Sequence, residues 1–310
     1  MKTAIMVDAA CDLPVDFCKK NDIHIIPMGV VFGDKRYFDD REPETTRSFY
    51  MDYSHFRAMD VHSIPPSIEV ICSYFYDHIV DQYDQALLMC LSGTRSNFYK
   101  CAIEAGKQVV EEVQQRNDAG DSKARLKSLR IMDTHTLFTG QALLAYEAFR
   151  IISVVDSVAI KELYQMLRTL SKNIRVYTVP DDLYYIRSRA SLRGESSLGT
   201  LSYAMGKSFD IKPIIQMQDG NTRRVGWGKG FVDAVNRAFE QVKKDIKAGL
   251  MINAIMLSYA GSTKEVMVLD SFRDLQEYAD KEGIHLYLSM MSTAAGINVG
   301  PGALSVACCG

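Results

Sequence analysis

Four places in the chain set polar side chains beside turns, where they could hold the polar end of a ligand. Asp8 closes the apolar run Ala4 to Val7, and Asp12 follows it. In "LSGTRSNF", Ser92, Gly93 and Thr94 stand between an apolar run and an amphipathic stretch. Unpaired N–H groups and the helix dipole favour an anion at such a junction, and the hydroxyls add donors. In "VHSIPPS", Pro65 and Pro66 stiffen a loop that exposes His62 and Ser63. Asn298 stands just before Gly300-Pro301-Gly302, where glycine tolerates backbone angles closed to other residues and proline fixes φ.

Each position also has a purely structural reading. Ser92 and Thr94 can cap a helix, and Asp8 can shape a turn. Asp12, ahead of Leu13-Pro14, fits a helix N-cap with proline in the first turn. A lone His62 can be an internally satisfied side chain, and the GPG turn can simply reverse the chain. "LSGTRSNF" is neither a Walker loop, for GxxxxGK[ST] is missing, nor a nucleophile elbow, for GxSxG is missing. "VGWGKGF" departs from the dinucleotide fingerprint in its final spacing. Vicinal Cys308 and Cys309 have no charged neighbour to activate a thiol, and read as small apolar residues.

Short apolar runs alternating with amphipathic stretches must position these groups. "AIMVD", "IHIIPMGVVF" as one strand leading to a turn at Gly33-Asp34, "ALLMC" and "LRIMD" read as strands. Helices are expected at about 46–57, 67–82, 95–115, 139–153 and 158–171. The alternation implies a largely parallel, helix-covered α/β sheet. A second pattern begins with "RVYTV". A hairpin turned at Asp219-Gly220 follows, then a long helix over 230–248, "INAIMLSYA", a helix over 271–282 and "IHLYLSM". We place a domain boundary near 172, giving an N-terminal α/β domain over 1–171 and a C-terminal α/β domain over 172–310.

At 310 residues, two cores are the natural expectation. With 36 basic and 38 acidic residues the chain has no electrostatic reason to seek nucleic acid or anionic membrane. Seven cysteines without a zinc-type CxxC pair point to reduced thiols, a cytoplasmic setting and no metal. The opening "MKTAIMVDAAC" imitates a lipoprotein signal, but its apolar run is too short. No stretch reaches the ~18 apolar residues of a membrane span.

Taken in order, "AIMVDAACDLP", "HSIPPS", "LSGTRSNF", "FDIKPIIQMQDG" and "INVGPGAL" resemble the DegV family of bacterial fatty-acid-binding proteins. That family shows a DSTxDLP-like start, TSQPS, SSxLSGT, an IKPIL…DG hairpin and THVGPG. The resemblance covers nearly the whole chain. It implies two α/β domains enclosing a long-chain fatty acid in an interdomain tunnel, with no cofactor and no catalytic nucleophile of its own. It also implies that the carboxylate is presented to a separate ATP-dependent fatty acid kinase. Carried over residue by residue, the carboxylate would meet His62, Ser63, Ser92, Gly93, Thr94 and Asn298, supported by Asp8, Gly300 and Gly302.

The chain departs from the pattern at several points. His62 stands for the family threonine, Ile64 for glutamine, and Asn298 for the histidine before VGPG, which suggests that His62 and Asn298 exchange roles. Ala9-Ala10 lack the hydroxyls of DST, Leu88-Met89 replace the first two serines of SSxLSGT, and Arg189-Ala190-Ser191 replaces a Gly-Gly-Arg-like segment. Fourteen methylenes of a sixteen-carbon tail, at ~0.8 kcal/mol each, supply about 11 kcal/mol before binding costs, against ~1.5–3 for a charged hydrogen bond. The tail therefore sets affinity and the head sets orientation. Two alternatives remain: a divergent paralogue for another apolar ligand or a protein, and an acyl hydrolase or transferase using Ser92, His62 and Asp8.

Overall fold

The computed structural model describes residues 1–33, 35–53, 61–121, 123–155, 157–192 and 210–310. The chain opens with β1 (Thr3–Asp8), α1 (Val15–Lys20), β2 (Ile23–Ile26), β3 (Met28–Phe32), β4 (Lys35–Asp39), α2 (Pro43–Tyr53) and β5 (Val61–Ile64). It continues through α3 (Ile68–His78), β6 (Gln85–Cys90), α4 (Phe98–Asp118), β7 (Ser128–Asp133), α5 (Thr139–Val154), α6 (Ile160–Ser171), β8 (Ile174–Val179) and α7 (Leu183–Leu192). Then come β9 (Ile211–Gln218), β10 (Asn221–Lys229), α8 (Gly230–Ala248), β11 (Ala254–Tyr259), α9 (Thr263–Met267), α10 (Asp270–Lys281), β12 (His285–Met290), α11 (Thr293–Val299) and β13 (Leu304–Cys309).

The continuous apolar runs of β1 and β6 make them the buried centre of a parallel sheet ordered β2-β1-β6-β7. Alternation sends Ala4 and Met6 to the face covered by α3 and α4, and Ile5 and Val7 to the face covered by α5. A second sheet, ordered β10-β9-β8-β13-β11-β12, is antiparallel except between β11 and β12. Its Val176, Met256 and Ala307 share the α5 core with Ile5 and Val7, whereas Tyr177, Leu257 and Val306 pack on α8 and α10. Helix α5 is thus sandwiched between two sheets, which explains why its sequence is apolar and small-residued nearly all round. A three-stranded antiparallel sheet, β4-β3-β5, packs with α2 and α7 around α11.

The expected strand through "IHIIPMGVVF" is two strands in two sheets. Pro27 separates them; it has no N–H for a ladder, and β2 pairs with β1 while β3 pairs with β4 and β5. The hairpin at Asp219-Gly220 is present, with φ of 46° and 75°. His62 and Ser63, expected in a loop, lie in β5, and Asn298, expected at a turn, lies in α11. Both elements are too short to show a period in sequence. The turn residue Asp34 lies outside the described residues.

Candidate ligand-binding site

Where α5 begins, the layer between the two large sheets opens into a cavity holding about 900 Å³ of empty space, part of it open to solvent. The parallel sheet contributes Ala10, Leu91, Leu137 and Phe138 from loops beyond its strand ends; the second sheet contributes Val176, Ile215 and Met217. Met28 and Ser63 from the small sheet, Ile186 of α7, and Asn298 and Val299 of α11 also line it. Phe138 holds φ 50°, a costly conformation for a bulky residue, at the start of α5.

Of the residues singled out in the sequence, Ser63 and Asn298 reach this cavity. Ser63 registers against Val30 and His62 against Val31, so strand alternation turns their side chains to opposite faces, and His62 is not part of the lining. Asn298 Nδ2 donates to the Ala294 carbonyl (2.8 Å). Gly300 at φ 90° ends α11, and a Cβ there would run into the Tyr185 ring. Gly302, at φ 75°, donates its N–H to Ala260 (2.8 Å). The GPG turn therefore fixes α11 to the end of β11, and α11 carries Asn298 to the wall.

The Ser92-Gly93-Thr94 turn uses its groups internally. Ser92 N–H donates to Thr136 (2.9 Å), and Gly93 N–H lies 3.1 Å from each Asp133 carboxylate oxygen. The Ser92 and Thr94 hydroxyls share a hydrogen bond (3.0 Å), and Thr94 is exposed. The Ser92 carbonyl accepts from Arg95 (2.9 Å) and Ser96 (3.2 Å). This turn thereby brings Leu91, Arg95 and Ser96 to the cavity.

Asp8 is fully buried and accepts from the Ala10 N–H (3.0 Å), the Leu91 N–H (2.7 Å) and Gln141 Nε2 (2.9 Å). It ties the loop ends of β1 and β6 to α5, and burial raises its carboxyl to about 6 against those bonds. Asp12 does not cap α1, whose N-cap is Pro14 with no side-chain bond. Its carboxylate instead accepts from Arg41 Nη1 (2.8 Å), Ser258 Oγ (2.6 Å) and the Ser292 N–H (2.9 Å). Asp39 accepts from the Arg41 N–H (3.1 Å) and the Ala294 N–H (2.8 Å). Burial pushes both carboxyls up, opposed by the Arg41 charge. The cap reading fails because Asp12 turns toward β11 and α11, more than two hundred residues away in sequence.

The other sequence motifs hold structure. Lys229 N–H at the start of α8 donates to Asp233 (2.8 Å), and a Cβ at Gly228 would strike the Ala234 backbone, so "VGWGKGF" is a tight strand-to-helix junction. Cys308 and Cys309 are buried in β13, and burial raises both thiols. Among the described residues, no group of three or more His, Cys, Asp or Glu side chains could hold a metal ion. No helix among them is long and apolar enough to cross a membrane. The side chains of Arg189, Ala190 and Ser191 lie outside the described residues. Sequence reasoning missed Arg95, Ser96, Thr178 and Thr222 on the cavity wall. For Arg95 the signal was adjacency to the LSGT turn; for Thr178 and Thr222, alternation along their strands reveals a face but not what it borders.

Comparison with known proteins agrees with this architecture. The family model described as "Uncharacterised protein, DegV family" matches residues 2–310. A DegV domain-containing protein of Xanthomonas campestris is 31% identical over 307 residues, covering 99% of this chain and 97% of its own. A fatty acid-binding protein of Thermotoga maritima is 24% identical, over 97% of this chain and 96% of its own. The crystal structure of a stearic acid-binding protein from Eubacterium ventriosum superposes with a TM-score of 0.78 at 19% identity, covering 99% of this chain and 98% of that one. A mixed α/β fold shared over the full length, together with a family match from end to end, means that the chain belongs to the DegV family.

Proposed function

We propose that this protein binds one long-chain fatty acid in the cavity between its two large sheets and presents the carboxylate to an ATP-dependent fatty acid kinase in the cytoplasm. The observation that carries the reading is the wall itself, in which Met28, Leu91, Leu137, Phe138, Val176, Ile186, Ile215 and Met217 supply apolar surface and a few polar groups converge. The names of the Thermotoga maritima and Eubacterium ventriosum relatives support the ligand class. In this reading the protein is a carrier: it holds the acyl chain, and the kinase supplies the chemistry.

Ser63 and Asn298 donate to the carboxylate, while the Ser92-Gly93-Thr94 turn, His62 and Asp8 frame that end of the site. Gly300 and Gly302 hold α11 in place. The domain division near 172 is part of the same proposal: strands before it form the parallel and small sheets, strands after it form the other large sheet, and the ligand lies between them. Mass spectrometry of organic extracts from protein purified from a bacterial host tests the reading. One equivalent of a long-chain fatty acid is expected. Repeated absence of lipid, with no thermal shift on adding oleate or palmitate, overturns it.

A further inference from the structure

Helix α11 presents Ala294, Asn298 and Val299 to the cavity. Helical spacing puts Gly296 on the far side of α11 from Ala294 and Asn298. That outer face is covered by Tyr50 of α2, a buried side chain packed in one cluster with Ala295 and Val299. The Tyr50 hydroxyl donates to the Met291 and Ser292 carbonyls, 3.0 Å from each, where the chain enters α11. A Cβ at Gly296 would run into that hydroxyl and lie 2.8 Å from the ring Cζ. The phenol is buried and held at its tip, so it has no room to swing aside, and the glycine is what lets α2 and α11 approach this closely. The start of α11 is pinned separately, with Asp12 accepting from the Ser292 N–H (2.9 Å) and Asp39 from the Ala294 N–H (2.8 Å).

We infer that the Tyr50–Gly296 contact, outside the cavity, sets the cavity's width and so determines which tail shapes it admits, leaving room for a cis-unsaturated chain as well as a straight one. The inference rests on the lipid-binding reading above and adds to it a pair of positioning residues that select among tails of equal length. Close-packed interiors transmit strain, so a helix pressed from one side yields toward whatever space lies on the other. On one side of α11 stands the anchored phenol; on the other lies the cavity, with about 900 Å³ of empty space. Bulk added between Tyr50 and Gly296 is therefore relieved by moving Ala294, Asn298 and Val299 into the cavity, and bulk removed there lets them retreat. A cis double bond bends an acyl chain and widens the cross-section it needs, whereas a saturated chain extends through a narrower passage. The width of the cavity thus discriminates by shape, and the two residues that set it act through α11.

The test compares palmitate with palmitoleate, which share length and head group, by calorimetric titration of the parent protein, Gly296→Ala, Tyr50→Phe and Gly296→Ala/Tyr50→Leu. Gly296→Ala is expected to weaken palmitoleate by roughly tenfold more than palmitate, the scale of an overpacked contact. The double variant, which removes the ring that the added methyl would meet, is expected to recover part of that difference. Tyr50→Phe keeps the ring and takes away the hydroxyl, so it is expected to move the palmitoleate-to-palmitate ratio the opposite way, by about severalfold. A purely structural role for the contact would weaken both acids alike and leave the ratio where it was. Equal losses for the two acids, no change for either, or a double variant no better than Gly296→Ala overturns the inference while leaving lipid binding intact. Should Gly296→Ala fail to fold, Tyr50→Phe decides alone: a ratio that stays put or moves against palmitoleate overturns the inference. Failure of the parent protein to bind either acid overturns the lipid reading itself.

Discussion

Replacing Asp12 with alanine removes one carboxylate that accepts three hydrogen bonds, from Arg41 (2.8 Å), Ser258 (2.6 Å) and the Ser292 backbone (2.9 Å). Arg41, 3% exposed, would keep its charge with a single buried carboxylate nearby, Asp39, which meets it through the backbone N–H. Removing one partner of a buried ion pair costs about 3–5 kcal/mol, whereas losing a helix cap costs about 1 kcal/mol. Asp12→Ala is therefore expected to lower stability by about 3–5 kcal/mol, and Tm by on the order of 10 °C. Urea unfolding with a fixed slope, alongside a thermal scan, measures both. The double variant Asp12→Ala/Arg41→Met should lose less than the sum of the two single changes, because it leaves no uncompensated guanidinium behind. A loss near 1 kcal/mol for Asp12→Ala, or strict additivity in the double variant, would refute the claim that this ion pair joins the loop after β1 to β11 and α11.

Two further outcomes are expected. Asp8 has its carboxyl raised from 3.8 to about 6 by burial, so the native state holds a proton that the unfolded chain releases. Its contribution to stability is fully present below about pH 4 and is lost as pH rises through about 6, and Asp8→Asn should flatten that limb of a Tm-against-pH curve relative to the parent. Ser63→Ala should weaken oleate binding more than His62→Ala does, since Ser63 lines the cavity and His62 does not; calorimetric titration giving the reverse order would restore the imidazole as the head-group donor.

The sequence by itself determined the layers. Buried runs such as "AIMVD" and "ALLMC" read as central strands, and the longer helices, such as α3 and α4, declare their period. The hairpin at Asp219-Gly220 was legible because both positions need positive φ and the residue types allow it. The order of family-like motifs identified the protein's kind, since they recur in sequence from "AIMVDAACDLP" to "INVGPGAL" along nearly the whole chain. What the sequence did not contain is which side chains meet across the seam. Asp12 is an ordinary helix cap to any local rule, and only the approach of β11 and α11 turns it into a buried ion-pair partner. His62 and Ser63 are equivalent as neighbours in a chain, yet pairing with β3 sends them to opposite faces. Arg95 looks like a solvated residue after a turn until β10 brings Thr222 within 3.0 Å of it. Local propensity is a property of a few consecutive residues; a site assembled from three sheets and two helices depends on distances between segments far apart in sequence, and packing alone fixes those.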